Sequence, residues 1–314
     1  MARKKTAKKT DARAARVAKV RASFYSSVNH VSEPFGQHIR KLERLNDLPA
    51  VLLWQGGDLR DDHAHLNDRA YETFAKNIGA LEKGKPVQVV IDSPGGDARA
   101  AFKLSSLIRK HCGWFHAVVP QYAKSAATLF ALGADKIVMS RFAELGPLDV
   151  QIEDPDKEER FSGLEVVQAI ERLNSEAMRA LDQQMVFWLM RSRKKLDTLL
   201  PVVTHFVSEM MRPLFEKIDT VNYTGMARAL KVAQDYAERL LETAGMNQRD
   251  AKQIAERLTT AYSEHGYVLD CNELNHIGMK NVEEADGELG DVLEQLAFMG
   301  RGSTMLGPLK EVKV

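Results

Sequence analysis

Apolar residues fall into short blocks in the first half of this chain and into long helical spacing in the second. Ala50 to Trp54 is an unbroken apolar run closed by Gly56-Gly57. Val87 to Ile91 is the next, and it ends in Asp92-Ser93-Pro94-Gly95-Gly96-Asp97. Phe115 to Val119 and Lys136 to Met139 complete the set. Blocks this short, bounded by glycine, proline and aspartate, read as strands buried on both faces. Helix-like stretches separate them, Ala98 to Lys110 and a second opened by Lys124-Ser125-Ala126-Ala127-Thr128. That alternation predicts an α/β fold, a parallel sheet with crossover helices.

The pattern changes after Asp149. A charged loop, Asp154 to Arg160, leads into a chain that reads as helix from Gly163 nearly to Ser263. Leu164, Val167, Ile170 and Leu173 recur at helical spacing, as do Leu181, Met185, Trp188 and Leu189. Pro201 and Pro213 are expected to separate helices. Tyr267 to Leu269 suggests a short strand, and Ala285 to Met299 a last helix stopped at Gly300. Ahead of the first block, residues 23–47 read as an amphipathic lead-in helix broken at Pro34-Phe35-Gly36. The expected organisation is a disordered basic arm over 1–22 and a core over 23–155. A helical region over 156–300 completes the same domain, and a loose tail follows over 301–314.

Composition adds three limits. Cys112 and Cys271 are too few for a disulfide framework, which fits a reducing compartment. No apolar run has the length of a membrane span, so a cytoplasmic chain with no membrane partner is expected. The net charge of +1 conceals an asymmetry. Nine of the 44 Lys/Arg and one of the 43 Asp/Glu lie in residues 1–21, leaving the remainder at −7. The arm lacks large apolar side chains apart from two valines and cannot pack a core. It suits contact with nucleic acid or an acidic partner, or a solubilising tail.

Chemistry in parallel sheets gathers at the carboxyl ends of the strands. The Pro-Gly-Gly turn exposes backbone N–H groups there, because glycine adopts positive φ and has no Cβ to screen the amide. Ser125 falls at a helix N-terminus, where unpaired N–H groups favour developing negative charge. A hydroxyl beside two amide donors is the minimal apparatus of acyl transfer. The segment Asp61-Asp62-His63-Ala64-His65 invites a metal reading. Its histidines are two apart and do not share a helix face, and Asp61 or Asp62 serves better as an N-cap. No metal and no cofactor are expected.

The strand-SPGGD-helix unit, Ser125 and the segment AKSAATLFALGADKIVMSRFAELGPLD resemble the Clp/crotonase superfamily. Within it they resemble the serine dehydrogenase proteinase (SDH-type) branch, related to Clp-type peptidases and signal peptide peptidase A. Lys217-Ile218-Asp219, the run Ala227 to Leu241 and His265-Gly266-Tyr267-Val268-Leu269-Asp270 also look like that branch. The resemblance implies a serine peptidase acting on a peptide or protein through an acyl-enzyme on Ser125, assembled as a homo-oligomer. It implies His265 as general base and an oxyanion hole from the amides of Gly96 and Ala126.

Asp149 stands about where Clp-type peptidases carry their histidine. It either orients His265 or caps a turn in a site that has lost hydrolysis. A Ser–Lys dyad is the alternative, as in signal peptide peptidase A. Lys124 would point about 100° away from Ser125 on a helix, and Lys157, Lys194 and Lys195 match no motif. The rival from another class is an inactive scaffold that holds a peptide. Acyl-CoA chemistry, which shares the oxyanion geometry, has no need of Ser125.

Overall fold

All four apolar blocks are strands. The computed structural model of the chain describes residues 19–28, 30–58, 60–149, 151–153, 160–262, 264 and 266–312. In order these form β1 (Lys19–Ala22), β2 (Tyr25–Ser26), α1 (Glu33–Asn46), β3 (Ala50–Gln55), α2 (Asp68–Asn77), β4 (Val87–Asp92) and α3 (Ala98–Cys112). Next come β5 (Phe115–Val119), β6 (Tyr122–Ala123), α4 (Ala126–Ala131), β7 (Lys136–Met139), β8 (Glu144–Leu145), β9 (Gln151–Glu153) and β10 (Arg160–Ser162). Four long helices follow, α5 (Gly163–Ser192), α6 (Leu196–Phe215), α7 (Thr220–Thr243) and α8 (Gln248–Thr260). The chain closes with α9 (Cys271–His276), β11 (Val282–Glu284), α10 (Gly287–Ala297), β12 (Thr304–Gly307) and β13 (Leu309–Val312).

The central sheet has the order β11-β7-β5-β4-β3-β12-β2. Its first five strands are parallel, and β12 runs antiparallel to both β3 and β2. Side chains alternate between two cores, as strand geometry requires. Val51, Leu53, Val89, Ile91, Ala117 and Val119 face α2, α3, α4, α7, α8 and α9. Leu52, Trp54, Val90, Val118 and Val138 face α1 and α10. Burial on both faces explains why these strands read as continuous apolar runs.

Several expectations are corrected. The arm does not extend to residue 22, because Lys19–Ala22 is a strand paired with β13; residues 1–18 lie outside the described ones. The tail is not loose after Arg301, since β12 inserts into the central sheet beside β3. Pro34 starts α1 instead of breaking a helix, at a position where a missing N–H costs nothing. Asn67, not Asp61 or Asp62, caps α2 by accepting from Ala70 N–H at 2.9 Å. Tyr267 to Leu269 contributes only an isolated bridge, Leu269 to Leu145. Pro201 and Pro213 both lie inside α6. That helix persists because Val203, Val207 and Met211 pack on α5, and the actual breaks follow Ser192 and Phe215.

Candidate active site

Two strand-to-helix joints meet at the carboxyl edge of the sheet. The first follows β4. Ser93 begins a turn in which Gly95 and Gly96 take φ of +98° and +143°, conformations closed to residues with a Cβ. The Ser93 hydroxyl accepts from Gly95 N–H at 3.1 Å and donates to the buried Gln55 Oε1 at 2.7 Å. Gln55 in turn donates to the His63 carbonyl at 2.8 Å. Gly95 O accepts from Leu66 N–H at 2.7 Å, and Leu66 O accepts from Asp97 N–H at 2.8 Å. Asp97 then caps α3 through Ala100 N–H at 2.7 Å. Among the described residues nothing accepts from the Gly96 N–H.

The second joint follows β5. The short β6 leads to Ser125, which precedes α4 with φ 50° and ψ −116°. That conformation is one a non-glycine residue holds only under external constraint. Ser125 is half-buried, and its hydroxyl makes no capping hydrogen bond. The Oγ donates instead toward the Asp149 carbonyl, at 3.5 Å. Ala126, the first residue of α4, has an N–H with no acceptor among the described residues, as the first turn of a helix requires.

The joints are clamped together. Ser93 N–H donates to Tyr122 O at 3.1 Å, and Lys124 N–H donates to Ser93 O at 3.0 Å. A Cβ on Gly95 would run into the Lys124 carbonyl oxygen and stand 3.0 Å from both Ala126 N and Ser125 Cβ. Only glycine lets the turn lie against the serine.

A third segment closes the site. Thr128 Oγ1 donates to Ala123 O at 2.6 Å and accepts from Gly146 N–H at 3.0 Å. It thereby staples the Gly146-Pro147-Leu148-Asp149 loop to α4. Leu148 N–H donates to Leu258 O at 2.8 Å on α8, and Asp149 is buried, 3% exposed. Leu145 and Leu269 exchange both backbone hydrogen bonds, at 2.9 and 3.1 Å.

Ser125, Ala126, Gly96 and Asp149 therefore occupy one edge of the sheet, and Leu269 joins it there through its bridge to Leu145. His265 lies outside the described residues. Lys124 Nζ is engaged by Glu144 at 3.0 Å and by the Leu145 and Tyr267 carbonyls at 3.3 and 3.5 Å. Three acceptors thus surround it. Lys157 lies outside the described residues, and Lys194 and Lys195 sit at the α5–α6 turn.

Residues 66–212 match the ClpP-like SDH-type serine proteinase family. That segment is just under half of the chain, and over it the chain is similar to this family. The match takes in the Pro-Gly-Gly turn, Ser125 and Asp149. Two uncharacterized proteins of Methanocaldococcus jannaschii are similar. One is 34% identical over 115 residues, 37% of this chain and 37% of that protein. The other is 23% identical over 223 residues, 71% of this chain and 61% of that protein. The chain thus spans less than two thirds of either relative.

Among solved structures, ClpP1 from Listeria monocytogenes aligns at 14% identity with a TM-score of 0.40, covering 79% of this chain and 97% of that one. A membrane-bound stomatin-specific protease aligns at 15% identity with a TM-score of 0.41, covering 71% and 76%.

Two features of the core escaped the sequence. One is the Gln55–Ser93 support of the glycine turn; its only signal is a glutamine ending an otherwise apolar strand. The other is Asp92, buried two residues beyond Val90 on the α1/α10 face. Burial pushes its carboxyl up to about 7, against the Tyr122 hydroxyl that donates to it and the charge of Arg301. Burial, with Asp92 next to it, also raises the Tyr122 phenol. Nothing in a strand ending Ile91-Asp92-Ser93 distinguishes this aspartate from a solvated one.

Proposed function

We propose that the chain is a serine peptidase that cleaves peptide bonds through an acyl-enzyme on Ser125. The observation that carries this reading is the strained Ser125, its hydroxyl free of capping duty, packed against a glycine turn whose Gly96 amide is unused. The match of residues 66–212 to a serine proteinase family supports it. His265 acts as general base: it takes the Ser125 proton as Oγ attacks the scissile carbonyl and returns it to the departing amine. Water then repeats the sequence in reverse and frees the acyl group. Asp149 orients the imidazole and stabilises its charged form. The Gly96 and Ala126 amides receive the negative oxygen of the tetrahedral intermediate.

Support for His265 comes from its neighbours. Tyr267 O lies on Lys124 Nζ, and Leu269 pairs with Leu145, four residues before Asp149. The engaged Lys124 argues against a Ser–Lys dyad. The substrate class is a peptide or protein, and the expected assembly is a cytoplasmic homo-oligomer with no metal or organic cofactor. The basic arm, expected to contact nucleic acid or an acidic partner, lies mostly outside the described residues.

A fluorophosphonate probe tests the proposal. Labelling should vanish in Ser125→Ala and in His265→Ala and persist in Lys124→Met. Wild-type protein that resists the probe and leaves a casein digest intact would make the chain a non-hydrolytic peptide holder.

A further inference from the structure

One buried titratable group beside the candidate active site takes no part in the chemistry proposed above. Asp92 ends β4 and immediately precedes Ser93, the residue that opens the glycine turn. It is 3% exposed, and its Oδ1 has no hydrogen-bond partner. It shares a face of the sheet with Val90 and with Trp54, its register partner on β3. α1 and α10 meet that face through Phe35, Ile39, Val292 and Leu293, and Glu294 of α10 is paired with Arg141 at 2.8 Å. The polar groups that act on the carboxyl are the Tyr122 hydroxyl, which donates to it, and the charge of Arg301. Trp54 Nε1 donates to Gly300 O at 3.1 Å, which anchors the turn carrying Arg301 against β3.

Tyr122 belongs to the other joint. It opens β6, the strand that leads into Ser125. That strand is two residues long, and its ladder to β8 covers only Tyr122 and Ala123, so little regular pairing holds it. Ser93 N–H donates to Tyr122 O at 3.1 Å, and Lys124 N–H donates to Ser93 O at 3.0 Å. The contact between the Asp92 and Tyr122 side chains crosses the same seam as these backbone bonds. On one side of the seam is the strand that ends in the Gly96 amide, and on the other is the strand that ends in the Ser125 hydroxyl.

We infer that Asp92 and Tyr122 are positioning residues, whose contact holds Ser125 in register with the Gly96 amide. The inference rests on the peptidase reading above and deepens it. An uncharged carboxyl suits this place, because its neighbours on β3, β4, α1 and α10 are apolar. An ionised one does not. Oδ1 would then be a charged oxygen shielded from water with no donor, an arrangement costly enough to displace the side chain. Movement toward Arg301 or toward water takes the adjoining Ser93 with it, and Ser93 supports the glycine turn. Burial keeps the carboxyl protonated up to about 7, against the pull of Tyr122 and Arg301. The contact is therefore intact below that pH and lost above it.

The test measures the fluorophosphonate labelling rate of the whole chain across the range from about pH 5.5 to about pH 8.5, with circular dichroism to confirm folding. In the wild type the rate should rise as His265 loses its proton and fall again above about 7. Asp92→Asn keeps an uncharged side chain that still accepts from Tyr122. Its rate relative to wild type should be near one at the acid end and grow to about ten-fold one pH unit above the Asp92 value. Tyr122→Phe should slow labelling by about ten- to a hundred-fold near pH 6. Arg301→Met should move the falling limb to higher pH, since the guanidinium favours the ionised carboxyl. A purely structural role would shift unfolding midpoints and leave the pH profile of the folded protein as it was. A ratio of Asp92→Asn to wild type that does not change with pH overturns the inference and leaves the peptidase reading standing. So does a folded Tyr122→Phe that labels at the wild-type rate. If Tyr122→Phe does not fold, the Asp92→Asn ratio decides alone. Wild-type protein that resists the probe, or Ser125→Ala that still takes it, sinks the peptidase reading itself, and the positioning role falls with it.

Discussion

Replacing Ser125 with glycine should make the protein more stable while abolishing its chemistry. At φ 50° and ψ −116° the serine Cβ is held in a region whose cost is of order 1–3 kcal/mol. The hydrogen bonds that impose it run through neighbouring backbone and do not involve the hydroxyl. Lys124 N–H donates to Ser93 O, Ala127 N–H to Lys124 O, and Leu129 N–H to Ser125 O, at 2.9 to 3.0 Å. Ser125→Gly keeps all of these and removes the Cβ. Glycine loses more backbone entropy on folding, about 0.5–1 kcal/mol, so a net gain of roughly 0.5–2 kcal/mol should remain. Ser125→Ala keeps the strain and should stay near wild type, because no cap hydrogen bond is lost. Urea unfolding of the three proteins, followed by intrinsic fluorescence, reads the difference. An ordinary serine N-cap loses a few tenths of a kcal/mol on change to glycine. If Ser125→Gly proved no more stable than wild type, the joint would store no strain, and the geometric case for a poised nucleophile would fail.

Gly96→Ala drives a Cβ into the Leu66 carbonyl at φ +143°, displacing one oxyanion donor. Fluorophosphonate labelling should slow by about a hundred- to a thousand-fold, with the far-ultraviolet circular dichroism unchanged. Ser93→Ala leaves the Gly95 amide and Gln55 without their partner. The unpaired groups should cost about 1–3 kcal/mol in urea unfolding, and labelling should slow as the turn loosens. Asp92 keeps its proton in the folded chain up to about 7 and loses it near its ordinary value when unfolded. Its contribution to stability is full below that ordinary value and disappears as pH rises to about 7, by about 1.4 kcal/mol per pH unit. Asp92→Asn removes this dependence. It should match wild type near pH 4 and exceed it by up to roughly 4 kcal/mol at pH 8, and parallel stability curves would contradict the assignment.

The strands were legible because of where they sit. A parallel strand covered on both faces has no polar alternation to confuse its ends, and Val87–Asp92, Phe115–Val119 and Lys136–Met139 appear almost as their apolar blocks drew them. The glycine turn and the place of Ser125 were legible for a different reason: glycine pairs and a serine before a helix have conformational meaning of their own. What stayed hidden depends on partners far away in sequence. Thr304–Gly307 is a strand only because β3 presents an open edge to it. The prolines of α6 are tolerated only because α5 supplies packing. Gln55 supports Ser93 only through the parallel register that sets Trp54 beside Asp92.

The same dependence explains why the site is built around missing side chains. A Cβ on Gly95 meets Lys124 and Ser125, one on Gly96 meets Leu66, and one on Gly146 would come within 2.9 Å of Lys124 Cδ. Of these contacts the one at Gly95 lies directly on the serine and its flanking backbone, while a Cβ on Gly146 would stand 3.4 Å from Ser125 N. The absent Cβ at Gly95 is what lets the amide-bearing turn lie against the strained Ser125. A Cβ at Gly95 should therefore push the turn away from Ser125 and carry the proposed Gly96 donor with it, slowing fluorophosphonate labelling.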